Sequence, residues 1–256
     1  MTKREFEIFC VNDGKKYKVE NGTTLADLLE KTGLNKGNDL NDTVFAAHVD
    51  NELKQLNHPL GITRKVEFLT FLHPDGRRCY IRSLCFILQN AVRELYPDKI
   101  LVIDHSLPAG LYCEIREERH DESGRRPIHF VTSSDIEKIQ AAMKKLVERD
   151  LPFTKEHVGI DEAEKIFIAN NQKHKAELFR SLGRYFCSIY RLDGRADSFH
   201  GPLVPSTGFL KTFDIMGIGA GFCLRYPSVE NPVTVLPMVP QSKILYQFQL
   251  FQSLNL

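Results

Sequence analysis

Apolar and polar positions alternate along FEIFCVNDGKKYKVE (6–20), with Phe6, Ile8 and Cys10 on one side and Tyr17 and Val19 resuming the period after Asp13-Gly14. Period two broken by an Asp-Gly pair predicts a hairpin. In NGTTLADLLEKTG (21–33) the period lengthens, and Leu25, Leu28 and Leu29 share one face of a short helix. Thr23 or Thr24 can cap that helix and Gly33 can end it. DTVFAAHVDNELK (42–54) then predicts a strand and turn, and KVEFLT (65–70) a closing strand. The economical arrangement is one small sheet covered by one helix, with His48 and His58 as surface or loop residues.

HPDGRRCY (73–80) carries a turn signal and reads as a link between domains. IRSLCFILQNAVRELYP (81–97) follows at helical spacing, with a stripe of Ile81, Leu84, Cys85, Leu88, Val92 and Leu95 and a stop at Pro97. Arg82 and Phe86 lie one turn apart on a different face, shared with Asn90 and Arg93. KILVID (99–104) and GLYCEI (110–115) read as strands. SDIEKIQAAMKKLVERD (134–150) reads as an amphipathic helix with a Ser134–Glu137 capping box and a core stripe of Ile136, Ile139, Met143, Leu146 and Val147. DEAEKIFIANN (161–171) and HKAELFRSL (174–182) predict shorter helices. YFCSIYRLDGR (185–195) and GFLKTFDIM (208–216) predict strands, the first ending at an Asp-Gly turn. Strands and helices intersperse without regular βαβ alternation, so the predicted class is α+β.

Composition narrows the function classes. The chain has 256 residues with 34 Lys+Arg against 33 Asp+Glu, so bulk charge predicts no polyanion partner, although a local basic groove escapes that argument. No apolar run approaches the ~20 residues of a membrane span, and MTKREFEIF has no signal-peptide core. The six cysteines form no CxxC pair and lie mostly in apolar segments. Buried free thiols in a reducing cytoplasm are the expectation. GIGAGF (217–222) is glycine-rich but lacks the Lys of a phosphate loop and reads as a turn between strands. No GxxxxGK[ST] occurs.

Three phrases carry resemblances. VENGTTLADLL with AAHVDNELKQLNHPL and VEFLT resembles a TGS domain, the ubiquitin-like β-grasp module of threonyl-tRNA synthetases and some GTPases. RSLCFILQNAVRELYP followed by DHSLPAGLYCEI resembles the second additional, or editing, domain of threonyl- and alanyl-tRNA synthetases. In that family a helix carries HxxxH, and a later segment carries a Cys and, four residues on, a His around a Gly-Pro turn. Laid on this chain, the helix histidines fall on Arg82 and Phe86, and the Cys and last His of DSFHGPLVP (197–205) fall on Phe199 and Leu203. Phenylalanine and leucine offer no lone pair to a metal and no proton to a leaving group. Arginine is not deprotonated in a protein. The resemblance therefore implies a degenerate site with no catalytic residue and no metal. A relocated set of Cys85, His105 and His200 is the alternative. Lys175 and Asp197 occupy family-like polar positions and either line a surviving pocket or serve as a solvated lysine and a turn cap.

RSLCF, HSLPAGLYCEI and FHGPLVPSTGFLKTFD together resemble the version of this domain found in some bacterial nucleoside kinases of the uridine kinase and phosphoribulokinase type. The resemblance implies a TGS-like domain at 1–72, a degenerate editing-like domain at 73–240, and an amphipathic segment at 241–256 leading toward a kinase domain. The region itself then needs no cofactor, and ATP and Mg²⁺ belong to that kinase domain. Arg82, Arg93, Lys175 and His200 would supply positive charge, and Phe86 and Phe199 a stacking face, for an RNA end or a small anion. In the opposing reading, Phe86, Phe199 and Leu203 pack the cleft shut. A homo-oligomer and a tRNA-binding or trans-editing protein stay open, as does a kinase in its own right, against which the missing phosphate loop counts.

Overall fold

The computed structural model describes residues 5–237 apart from 38, 63, 108, 109, 122, 123, 182 and 184. In chain order they form β1 (Glu5–Cys10), β2 (Lys15–Glu20), α1 (Leu25–Thr32), β3 (Ala46–Val49), β4 (Glu52–Lys54), β5 (Arg64–Leu69), α2 (Pro74–Leu95), β6 (Lys99–Leu107), β7 (Gly110–Glu117) and β8 (Ile128–His129). Then come α3 (Ser133–Glu148), β9 (Thr154–Gly159), α4 (Ile160–Ala169), α5 (Lys173–Ser181), β10 (Phe186–Leu192), β11 (Arg195–Asp197), a 3-10 turn at Thr207–Phe209, β12 (Asp214–Ile218) and β13 (Gly221–Arg225). The class is α+β, as expected. Among the described residues no helix is long and apolar enough to cross a membrane.

Contacts divide the chain into two compact units. One holds the residues up to Asn90 together with Met143–Lys211, and the other holds Ala91–Ala142 together with the residues from Thr212 onward. The boundaries of these units fall within α2 and α3. The amphipathic run at 241–256, with Ile244, Leu245, Phe248, Phe251 and Leu254, lies outside the described residues.

In the first unit, β2-β1-β5-β3-β4 form a five-stranded sheet. β1 and β5 run parallel and the other neighbours antiparallel. Both tight turns rest on left-handed backbone: Gly14 between β1 and β2, and Asp50-Asn51 between β3 and β4. Thr24 caps α1 in a reciprocal box with Asp27, and Gly33 closes it in the left-handed region. Leu25, Leu28 and Leu29 of α1 share one core with Ile8, Cys10, Val19, Val66 and Phe68 of the sheet. A second, three-stranded sheet, β11-β10-β9, belongs to the same unit. Its apolar face joins Ala163 and Phe167 of α4 and Ala176 of α5 around Ile189.

In the second unit, β12-β13-β7-β6 form an antiparallel sheet with β8 paired to β7. Within GIGAGF only Gly219-Ala220 form the β12–β13 hairpin turn, Gly219 at a φ of 58°, while the flanking residues are strand.

Three local expectations change. HPDGRRCY is not a link: α2 begins at Pro74, and 74–80 are its first two turns. Proline suits the first helical position. Gly76 lets the helix start against the preceding strand, because a Cβ there would sit 2.0 Å from the Thr70 carbonyl oxygen. The capping box of α3 is Thr132–Asp135 rather than Ser134–Glu137: Asp135 N donates to Thr132 Oγ1 (3.2 Å) and Thr132 N to Asp135 Oδ2 (2.9 Å). Finally, GFLKTFDIM is not one strand. Thr207–Phe209 form the 3-10 turn, tied down by the Thr207 hydroxyl on Leu146 O (2.5 Å), and the strand starts at Asp214.

Candidate functional site

The candidate site lies in the first unit, where α2 meets the bend between β11 and the 3-10 turn. α2 is buried almost all round here: Ser83, Leu84, Phe86, Ile87, Leu88 and Asn90 are all inaccessible or nearly so. The face assigned to Arg82, Phe86 and Asn90 is therefore as deeply placed as the predicted stripe, whose Ile81 and Cys85 are only half-buried.

Four contacts hold the bend against α2 and β10. Arg82 donates through Nε (3.1 Å) and Nη2 (2.9 Å) to the Pro202 carbonyl. The Tyr190 hydroxyl donates to Gly201 O at 2.9 Å. Val204 N donates to Ser83 Oγ at 2.9 Å, while that hydroxyl donates to Cys79 O at 2.7 Å. Gly201 has a φ of 111°, and a Cβ on it would lie 3.0 Å from the Arg82 guanidinium. Glycine is required here twice over, by backbone conformation and by the arginine that covers it.

Beneath this bracket the side chains are apolar. Phe86 is fully buried and stacks on Phe153 with centroids 5.8 Å apart. Phe199 also meets it, tilted, at 5.1 Å. Phe199 in turn meets Tyr190 edge-on at 6.1 Å. Leu203 is 1% exposed. Aromatic pairs at these separations contribute about 0.5–1.5 kcal/mol each beyond area burial. Burial pushes the Tyr190 phenol above its usual range, so it remains a neutral donor.

Lys175 and Asp197 meet. Asp197, at the end of β11, is completely buried and forms an ion pair with Lys175 of α5, whose side chain is 22% exposed. Asp197 Oδ1 also accepts from Ser198 N at 2.7 Å. β11 is clamped from the α4–α5 connection: Ala196 N donates to Asn170 Oδ1 (3.1 Å), and Gln172 Nε2 donates to Ala196 O (2.8 Å). Two of the cations expected to face a ligand, Arg82 and Lys175, thus have internal partners. His200 lies exposed at the bend.

Of the relocated set, Cys85 lies on α2 and His200 at the bend. Burial pushes the Cys85 thiol up to about 12 and the Cys79 thiol up to about 11, so neither supplies thiolate near neutral pH. His105 belongs to β6 in the other unit, with Nδ1 3.2 Å from Asp104 and its ring beside Tyr112. All six cysteines are free; Cys85 is half-buried and the other five are buried.

A groove of about 470 Å³ touches the bend from outside at Pro202 and is lined by Lys54, His58, Lys155 and His157. Lys155 also lies over the Tyr190 ring, 5.6 Å from its centroid. Phe86, Phe199 and Leu203 do not line this groove.

Sequence reading missed Phe153, Tyr190 and Ser83 as parts of the site, while Gly201 belongs to the Gly-Pro turn it singled out. Ser83, a hydroxyl beside an apolar stripe, was the one visible signal. Phe153 and Tyr190 reach Phe86 and Phe199 only through tertiary structure. His48 is not a plain surface residue: it is half-buried on β3, with Nε2 3.1 Å from Asp75 Oδ2.

No family model matches the chain. It is similar to threonine–tRNA ligases: 29% identical over 223 residues to that of Thermotoga neapolitana, 26% over 213 residues to that of Clostridium kluyveri, and 30% over 211 residues to that of Burkholderia multivorans. These alignments cover 82–86% of this chain and 31–32% of each ligase. The chain spans about a third of the length of these curated relatives and carries a threonyl-tRNA synthetase-like region over most of its own length.

Proposed function

We propose that this chain is a catalytically silent, synthetase-derived binding module: a TGS-like β-grasp region followed by an editing-like region whose cleft is filled by its own side chains. The observation that carries the reading is the aromatic packing of Phe86 on Phe153 and against Phe199, beside the Arg82–Pro202 bracket. Aromatic carbon occupies two of the four positions where the resemblance places metal or proton-transfer chemistry. The remaining two are Leu203, which is buried, and Arg82, whose guanidinium is spent on a backbone carbonyl. In this reading the seven positions Arg82, Phe86, Lys175, Asp197, Phe199, His200 and Leu203 frame the old cleft without working as a catalytic set.

The similarity to threonine–tRNA ligases supports a tRNA-related ligand, so tRNA binding without hydrolysis is the form of the proposal favoured over a wholly unrelated small-molecule role. A kinase domain of the uridine kinase type in the same protein, with its ATP and Mg²⁺, rests only on the sequence resemblance and is the narrower version. Hydrolysis of mischarged tRNA is the rival. Incubating the protein in excess over seryl-tRNA specific for threonine separates them. The proposal expects ester loss at the spontaneous rate. Accelerated loss, abolished by Cys85→Ala or His200→Ala, would establish the rival. Uridine phosphorylation by residues 1–256 alone would overturn both.

A further inference from the structure

Outside the cleft, His48, His73 and Asp75 bring three ligand atoms within 4.8 Å of one another. They come from two stretches of the first unit: His48 from β3, and His73 and Asp75, two residues apart, from the turn into α2 and its first turn. All three are half-buried. Among the described residues this is the one group of three or more His, Cys, Asp or Glu side chains that converge in this way.

We propose that His48, His73 and Asp75 form a binding site for one divalent transition cation of the Zn²⁺ class. Two imidazoles and a carboxylate, with no thiolate, make a borderline donor set that suits Zn²⁺, Co²⁺ or Ni²⁺ better than Mg²⁺ or Ca²⁺, which prefer all-oxygen shells. His48 Nε2 and Asp75 Oδ2 are 3.1 Å apart. Two ligands at ~2.1 Å on a tetrahedral ion stand ~3.4 Å apart, so the pair opens by only a few tenths of an ångström. The two rings stand nearly perpendicular, at 87°, with centroids 5.3 Å apart, so they can present nitrogen to a shared point without stacking.

The surroundings fit as well. The second nitrogen of His48, Nδ1, faces Glu67 Oε2 at 3.7 Å. A carboxylate behind a ligating imidazole holds its tautomer and raises its basicity. Two features compete with the ion. Arg78 pairs with Asp75 from the next turn of α2. Asp75 N donates to His73 Nδ1 at 3.1 Å, so coordination through that nitrogen exchanges a helix-start hydrogen bond for a metal bond. Three protein ligands leave a fourth position open to water or to a ligand atom. The site does not depend on the function proposed above.

The test uses the 256-residue chain, stripped with chelator and titrated with Zn²⁺ and, separately, with Co²⁺. One equivalent should bind with a micromolar or tighter Kd, and Co²⁺ should develop visible d–d bands. His48→Ala and Asp75→Asn should each weaken binding at least tenfold. His73→Gln, at a half-buried turn position, provides the same readout should the β3 substitution unfold the sheet. Arg78→Ala decides between a metal site and an ordinary ion-pair network. Its side chain is 63% exposed, and removing a competing cation should tighten Zn²⁺ severalfold. An absence of saturable one-equivalent binding below ~0.1 mM would overturn the proposal, as would affinity indifferent to His48→Ala, Asp75→Asn and Arg78→Ala.

Discussion

Two places in the first unit invert what a motif search would look for. In the reading proposed above, the cleft at α2 is the place where a synthetase-like frame would hold chemistry; there Phe86 packs with Phe153 and Phe199, and Arg82 and Lys175 turn to Pro202 O and Asp197. The cluster of His48, His73 and Asp75 corresponds to no motif, yet its donor atoms converge. The contrast teaches that a frame and its chemistry separate easily. A cleft emptied of ligands does not stay an open hole, because a void loses dispersion contacts and burial, so larger apolar side chains take the space. Polar groups left at its rim are then satisfied by backbone or by each other, since unpaired ones cost more.

The comparison can be broken most forcefully at Phe86. Phe86→Ala removes a fully buried ring in contact with buried Phe153 and half-buried Phe199 and should cost about 3–5 kcal/mol. Hydrogen exchange of α2 and β10 amides reports it locally. If the cleft is in truth open, the loss will be far smaller and exchange in α2 unchanged. Lys175→Ala comes next. It leaves the buried Asp197 carboxylate without its cation, for which about 3 kcal/mol is the scale. A chemical denaturation midpoint that barely moves would return Lys175 to the status of a solvated lysine.

Gly201 and Arg82 sharpen the picture further, because the structure makes them interdependent. Arg82→Ala gives up two hydrogen bonds from a charged donor, about 1.5–3 kcal/mol. Gly201→Ala puts a Cβ at a φ of 111° and against the guanidinium. In the double variant the steric part of the second penalty disappears, so the two losses should sum to less than the singles predict. Strict additivity would show that the arginine does not cover the glycine.

The smallest effect is a control in the other unit. Burial would raise the Asp135 carboxyl, but hydrogen bonds from the Tyr96 hydroxyl (2.6 Å) and Thr132 outweigh it and hold the group down at about 2. A depressed carboxyl stabilises the fold above its unfolded pKa of about 4, and that contribution fades as pH falls from about 4 toward 2. Tyr96→Phe should remove about 1 kcal/mol near neutral pH and less at pH 2, read from denaturation midpoints across that window. Because the pair lies outside the cleft unit, its loss should leave α2 exchange around Phe86 untouched. A change there would undo the separation on which the comparison rests.

Much of the fold was legible because it is local. The Asp13-Gly14 and Asp193-Gly194 turns, the Thr24 cap, the Gly33 stop and the period of α3 are all decided within a few residues. What failed was decided by distant partners. Turn residues at 73–80 become helix because Gly76 can press on Thr70. An apolar run at 208–216 yields a 3-10 turn because Thr207 is held by Leu146. At the site, the replaced positions were legible by type, but their fate was not. Phe153 lies 67 residues from Phe86, and nothing in its own neighbourhood marks it as the ring that completes the stack. The Lys175–Asp197 pair was visible as two single polar residues, and only the fold joins them. His48 reads as one more polar residue in an alternating strand until α2 brings Asp75 to it.

The most direct test of the closed cleft is a nuclear magnetic resonance titration of the labelled protein with a non-hydrolysable 3′-aminoacyl-adenosine analogue, following Phe86, Phe199 and Leu203. The account predicts that their side-chain signals stay in place at millimolar analogue. Saturable shifts at all three residues would mean that the cleft opens to the end of an aminoacyl-tRNA and would contradict it.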